Sequence, residues 1–198
     1  MNTCDIICIL DRSGSMQSVK SDAIGGFNNL LKEQKALPGQ AAMTVVLFDH
    51  EYEVLHSRKP IANVAPLNDA SYVPRGTTAL LDAIGKTLTT AKTYDAASPD
   101  HKFIVAIITD GQENASREWM KPAVKSLTDE LTAKGWTFVY LAANQDAFME
   151  AGALGMANQF TANYAATSIG TQSAYAGVSG SMTNIRSGNV TANAQKQK

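Results

Sequence analysis

Asp5-Ile6-Ile7-Cys8-Ile9-Leu10-Asp11-Arg12-Ser13-Gly14-Ser15 is the stretch on which the reading of this chain turns. From Ile6 to Leu10 every side chain is apolar, so the run has no face suited to water. Such a run fits a central strand covered on both sides. It stops at Asp11, and the polar segment to Ser15 turns into a helical pattern. Met16, Val19, Ala23, Phe27, Leu30 and Leu31 recur at three- and four-residue spacing, and Leu37-Pro38-Gly39 ends the helix. Gly25-Gly26 within it is unfavourable by about 1 kcal/mol per glycine relative to alanine. The pair reads as close packing of the helix on the sheet.

The same alternation continues outward. Met43 to Phe48 predicts a second apolar strand, Asp49-His50-Glu51 a turn, and Tyr52 to His56 an outer hairpin strand. Residues 57–76, with Pro60, Pro66 and Pro74, form a long connection of the kind that often carries function. Leu80, Leu81, Ile84, Leu88 and Ala91 mark a helix, and Phe103 to Ile108 is another fully apolar strand that ends at Thr109-Asp110-Gly111. A helix from about Glu118 to Ala133, a strand from Thr137 to Leu141 and a short helix from Ala147 to Ala153 follow. A weak strand at Gln159 to Thr161 and a last helix from Ile169 to Arg186 complete the pattern. The expected fold is α/β: three α/β/α layers, doubly wound, with a mostly parallel central sheet and one antiparallel edge strand. One domain is expected over 1–186, with a flexible tail over 187–198.

Bulk properties narrow the functions. The chain has 198 residues, 44% hydrophobic and 18% charged, a globular balance. With 17 basic and 18 acidic residues the net charge is -1, which gives no long-range pull toward nucleic acid or an anionic membrane. The apolar runs are far shorter than the roughly 18 residues of a membrane span, and Ile6 to Leu10 is too short for a secretory signal core. A cytoplasmic setting is expected. Cys4 and Cys8 in one extended strand would have Cα atoms about 13 Å apart, beyond the ~7 Å reach of a disulfide, and are expected as buried thiols. His50, His56 and His101 lack the spacing of a zinc site.

Three polar clusters stand at strand ends or in loops that enter helices: Asp11-x-Ser13-x-Ser15, Gly76-Thr77-Thr78-Ala79-Leu80 and Thr109-Asp110-Gly111. In an open parallel sheet, ligands bind beyond the carboxyl ends of the strands, where the strand order reverses. Two carboxylates and three hydroxyls make an all-oxygen donor set. That set suits a hard cation, Mg2+ first and Mn2+ next, with Ca2+ also accommodated. The i, i+2, i+4 spacing of Asp11, Ser13 and Ser15 lets a curled loop turn alternate side chains inward. One ion bound by Asp11, Ser13, Ser15, Thr78 and Asp110 would stay electrophilic enough to accept an outside carboxylate.

Asp11-Arg12-Ser13-Gly14-Ser15-Met16 resembles the metal-ion-dependent adhesion site (MIDAS) motif of von Willebrand factor A domains. Gly76-Thr77-Thr78-Ala79-Leu80-Leu81-Asp82-Ala83-Ile84 resembles that family's threonine segment, with Thr77 where a second glycine is usual. Ile108-Thr109-Asp110-Gly111 resembles the segment that carries the aspartate. The likeness is nearest to small stand-alone bacterial and bacteriophage members. It implies a non-enzymatic module in which Ser13, Ser15 and Thr78 contact the metal directly and Asp11 and Asp110 often act through water. A protein partner's Asp or Glu completes the octahedron, and the metal site is coupled to the last helix.

Plainer readings stand beside these. Asp11 can simply end a strand and Ser15 can cap a helix. Thr77 reads as backbone support, and Asp49 and Asp82 as structural carboxylates. Arg12, Arg75, Gln112, Glu113 and Asn114 are candidates for a partner-selecting rim, as are Asn144-Gln145-Asp146, although Asp146 also suits a helix cap. A structural or assembly role, in which a closed metal site only stabilises the fold, is the main alternative. A Mg2+-dependent phosphohydrolase is the weaker one. Ser13 occupies the place of the second aspartate of haloacid-dehalogenase-like phosphatases, and no lysine is placed to hold phosphate charge. The chain has no Gly-x4-Gly-Lys-Ser/Thr loop, and Gly177-Val178-Ser179-Gly180-Ser181 lacks the glycine a nucleophile elbow needs.

Overall fold

In the computed structural model, which describes residues 3–94, 100–143, 147–156 and 160–188, the first apolar run forms the middle of a six-stranded sheet. The strands are β1 (Thr3–Asp11), β2 (Gln40–Phe48), β3 (Tyr52–Pro60), β4 (Lys102–Thr109), β5 (Thr137–Ala143) and β6 (Thr161–Tyr164). Their order is β3-β2-β1-β4-β5-β6, and only β3 is antiparallel to its neighbour. The chain winds outward from β1 through β2 to β3, then returns to the other flank of β1 and winds outward again. The reversal puts a crevice between the carboxyl ends of β1 and β4, where Leu10 pairs with Ile108 and Asp11 follows.

Alternation along β1 divides the core into two. Ile6, Cys8 and Leu10 face the layer of α1 (Lys20–Ala36) and α5 (Ser168–Ser187). Ile7 and Ile9 face α2 (Leu80–Ala91), α3 (Lys121–Ala133) and α4 (Ala147–Ala153). All five side chains are buried, as the period-2 geometry of a strand covered on both faces requires. Cys4 and Cys8 are free and buried, and burial pushes both thiols up to about 12. Among the described residues no helix is long and apolar enough to cross a membrane.

Several local expectations are corrected. β3 continues to Pro60 through a register shift against β2, with Arg58 at φ +41°, so residues 57–60 belong to the strand and not to the long connection. A 3-10 turn precedes α1 from Gly14 to Val19, so the first helix proper begins at Lys20. Gly26 does not pack on the sheet: a Cβ there would lie 2.6 Å from the ring of Tyr175 in α5, so the glycine admits a neighbouring helix. The third long helix starts at Lys121, not near Glu118: a start at Glu118 would put Pro122 where the helix needs an N–H, and the Glu118 and Trp119 amides are bonded to Asp82. Pro122 then sits in the first turn, where its missing N–H costs nothing. The weak sixth strand lies at Thr161–Tyr164, later than expected, and Gln159 falls outside the described residues. So do Asn144-Gln145-Asp146 and residues 189–198, while α5 extends through Ser187 to a left-handed Gly188 cap.

Candidate metal centre

Each of the three polar clusters lands where an apolar strand runs out or a helix begins, and the crevice between β1 and β4 brings them together. Asp11 ends β1 with its carboxylate buried. Its Oδ1 accepts the Ser13 amide at 2.6 Å, which curls the loop back on the strand end. Its Oδ2 accepts the Thr109 hydroxyl from the end of β4 at 2.5 Å. The loop then carries Ser13 and Ser15 to the same side, with their Oγ atoms 3.0 Å apart. Ser15 Oγ donates to Asp110 Oδ1 at 2.7 Å, which closes a chain of oxygens across the crevice.

Thr78 enters from the loop before α2. Its amide donates to Asn114 Oδ1 at 2.9 Å, and its carbonyl accepts the amides of Asn114 and Ala115 at 3.0 and 3.2 Å. Its side chain is buried, and among the described residues no hydrogen bond engages the hydroxyl. Gly111 reports where that hydroxyl sits: a Cβ there would lie 2.8 Å from Thr78 Oγ1 and 3.6 Å from Asp11 Oδ2. The missing side chain at Gly111 therefore leaves space beside both oxygens. Asp11, Ser13, Ser15, Thr78 and Asp110 are thus all brought to one place.

The electrostatics are those of a site short of positive charge. Burial pushes the Asp11 carboxyl up to about 6 from its ordinary 3.8, against the hydrogen bonds from Thr109 and Ser13, and Asp110 nearby adds repulsion. Burial also raises Asp110, opposed by the Ser15 hydroxyl. Two desolvated carboxylates and three hydroxyls are hard oxygen donors with no thiolate or imidazole among them, a set whose chemistry would fit a hard divalent cation. Among the described residues no group of three or more His, Cys, Asp or Glu side chains is placed to hold a metal. The chemistry of this crevice therefore rests on hydroxyls. Its outer side is open: Gly14, Ser15, Gly76 and Thr77 are exposed.

Residues around the crevice hold its loops rather than line its rim. Arg12 is buried, with Nε 3.0 Å from Asp49 Oδ2 and Nη1 bonded to Glu53, so it does not face a partner. Glu113 is turned inward: Oε2 accepts the Leu81 amide at 2.8 Å and the Ser116 hydroxyl at 2.7 Å, while Oε1 accepts the amides of Ala115 and Ser116. Asp82 accepts the amides of Arg117, Glu118 and Trp119 at 2.8 to 3.0 Å, which holds its carboxyl below the usual value. Thr77, Arg75, Gln112 and Asn114 are exposed. Two partners of Asp11 lie outside the sequence expectations: the Thr109 hydroxyl on its carboxylate and the Tyr72 hydroxyl, which donates to its carbonyl. A hydroxyl directly before the strand-end aspartate was the one available sign of the first. Nothing local announces the second.

Neither a family model nor a curated protein sequence matches the chain. Solved structures do. Proximal thread matrix protein 1 from the mussel byssus, with a zinc-occupied MIDAS motif, superposes with a TM-score of 0.64 at 16% identity, covering 92% of this chain and 46% of that one. A manganese-loaded TRAP protein of Plasmodium vivax gives 0.62 at 15% identity, with 89% and 72% covered. The ArnB paralog VWA2 from Sulfolobus acidocaldarius gives 0.53 at 17%, with 76% and 37% covered. The chain spans less than half the length of the byssus protein. The fold is that of von Willebrand factor A domains.

Proposed function

We propose that the chain is a non-enzymatic binding module that holds one divalent cation, Mg2+ or Mn2+, and uses it to grip an acidic side chain of a protein partner. Ser13, Ser15 and Thr78 would offer hydroxyl oxygens, and Asp11 and Asp110 the balancing charge. The observation that carries this reading is the convergence, in an open crevice, of an unengaged Thr78 hydroxyl with the raised carboxyl of Asp11 and the linked oxygens of Ser13, Ser15 and Asp110. A bound cation would supply Lewis acidity toward a carboxylate. The chain itself fixes the loops, orients the hydroxyls and keeps one side exposed. Two of the similar folds carry an ion there or elsewhere in the protein, zinc in one MIDAS motif and manganese in the other protein.

The open side favours partner binding over a site that only stabilises the fold, since a structural site is closed by the protein's own groups. A cytoplasmic setting, in a bacterium or on a phage particle, accords with two buried free thiols. The test is unfolding with and without Mg2+ and Mn2+, on wild type and Asp11→Ala after chelation. A ligand at about 100 times its dissociation constant adds about 2.7 kcal/mol to the native state. A metal-dependent rise in wild type that is absent in the variant supports the reading, and a wild-type midpoint unchanged by either metal would remove it.

A further inference from the structure

Asp49 follows β2 and is fully buried, yet its carboxylate serves residues of two different loops. Its Oδ2 accepts Arg12 Nε at 3.0 Å and Arg75 Nε at 2.9 Å, and its Oδ1 accepts the Glu51 amide at 2.6 Å and lies 3.2 Å from His50 Nδ1. Its carbonyl accepts the Ala79 amide at 2.8 Å. Arg12 stands between Asp11 and Ser13, so its anchored guanidinium fixes the backbone that bears both. Arg75 and Ala79 bracket Gly76-Thr77-Thr78, so Asp49 grips that loop on each side of its hydroxyls. The two loops are also joined directly, by the Arg75 amide to the Arg12 carbonyl at 2.8 Å and the Gly14 amide to the Gly76 carbonyl at 3.1 Å. The arginines are held at their outer ends as well, Arg12 by Glu53 and Arg75 by Glu51.

We propose that Asp49 is a positioning residue that locks the Ser13–Ser15 loop to the Thr78 loop, and by that rigidity makes the site select Mg2+ over Ca2+. The inference rests on the metal-binding reading above. Mg2+ demands near-ideal octahedral geometry at 2.0–2.1 Å, whereas Ca2+ takes six to eight oxygens at 2.3–2.6 Å in a flexible shell. Loops locked by a shared buried carboxylate keep the hydroxyls at one spacing, and loops released from it can spread around the larger ion. A purely structural ion pair would show no such discrimination. Asp5 supplies the comparison: it is also buried, is bonded to Arg58 and His101, and lies toward the opposite end of β1 from Asp11.

The experiment is calorimetric titration of Mg2+ and of Ca2+ into wild type, Asp49→Asn and Asp5→Asn, with unfolding midpoints measured in chelator. For Asp49→Asn the Mg2+ dissociation constant is expected to rise at least about tenfold and that for Ca2+ by less than about threefold. For Asp5→Asn both constants stay within about twofold of wild type despite a lowered midpoint. If Asp49→Asn does not fold, Arg75→Gln cuts one exposed arm of the same lock and is expected to weaken Mg2+ about threefold with Ca2+ unchanged. Mg2+ binding within twofold of wild type in the Asp49 variant, or equal losses for the two ions, overturns the inference and leaves the metal site standing. Absence of Mg2+ binding by wild type overturns the metal-binding reading itself, and this one with it.

Discussion

Replacing Asp11 by Asn in the metal-free protein removes a charge that the fold finds difficult to accommodate. Burial raises this carboxyl from 3.8 to about 6, a shift of roughly two units, and each unit corresponds to 1.36 kcal/mol. Because the folded value lies above the unfolded one, the contribution of Asp11 to the stability of the metal-free protein is fully present below about pH 4, and up to about 3 kcal/mol of it is lost as pH rises from there through about 6. Asn keeps the acceptor for the Ser13 amide but puts an NH2 opposite the Thr109 hydroxyl. That hydroxyl has an alternative acceptor in the Gly111 carbonyl at 3.2 Å, so it can turn and accept instead. Asp11→Asn in chelator at pH 7 should therefore be at least as stable as wild type, by as much as about 3 kcal/mol, and should lack the wild-type decline between pH 4 and 6. Urea unfolding at a series of pH values, with chelator present throughout, measures both. A variant less stable than wild type by more than about 1 kcal/mol at pH 7, or a difference between the two that does not change over that window, would refute the argument from desolvation.

Other substitutions test the supports of the site. Gly76→Ala puts a side chain at φ +66° and 2.0 Å from His50 Nδ1, so it should destabilise by about 1–2 kcal/mol from backbone strain alone and weaken Mg2+ binding; calorimetry and thermal unfolding check it. Asp82→Ala leaves three amides of residues 117–119 without their acceptor and should cost about 3 kcal/mol in urea unfolding at pH 7. Because its folded value is depressed, the stability Asp82 supplies is present at neutral pH and lost only as pH falls below about 4, so the variant and wild type should converge in acid. Cys4 and Cys8, buried with thiols raised to about 12, should resist a thiol reagent in the native protein and react in denaturant, as an absorbance assay would show.

How much of this was legible in the sequence follows the range of the interactions. Ile6 to Leu10 and Phe103 to Ile108 state their burial in their own composition, and the polar residues that end them state where the crevice lies. Given a chain that winds outward both ways from the first strand, those ends bring Asp11, Ser13, Ser15 and Asp110 to one crevice, with Thr78 joining from the loop that enters the next helix. What could not be read depends on distant partners. Arg12 looks like a rim residue until Asp49 and Glu53, far along the chain, draw it inward. The segment before α3 is held from the other side of the site by Asp82, whose carboxylate takes the amides of residues 117–119. Gly26 has a role only because Tyr175 of α5 arrives against it. β6 is four residues long and half exposed, too short for alternation to fix its ends.

Whether the crevice holds one divalent ion with an open position is tested most directly by Mn2+ titration followed by water-proton relaxation. Mn2+ held in the crevice with an exchangeable water should enhance relaxation at a stoichiometry of about one per chain. Added acetate, taking the place a partner's carboxylate would occupy, should then reduce the enhancement, and Asp11→Ala should abolish it. Bound Mn2+ with no enhancement would mean a closed, purely structural site. No bound Mn2+ would contradict the account altogether.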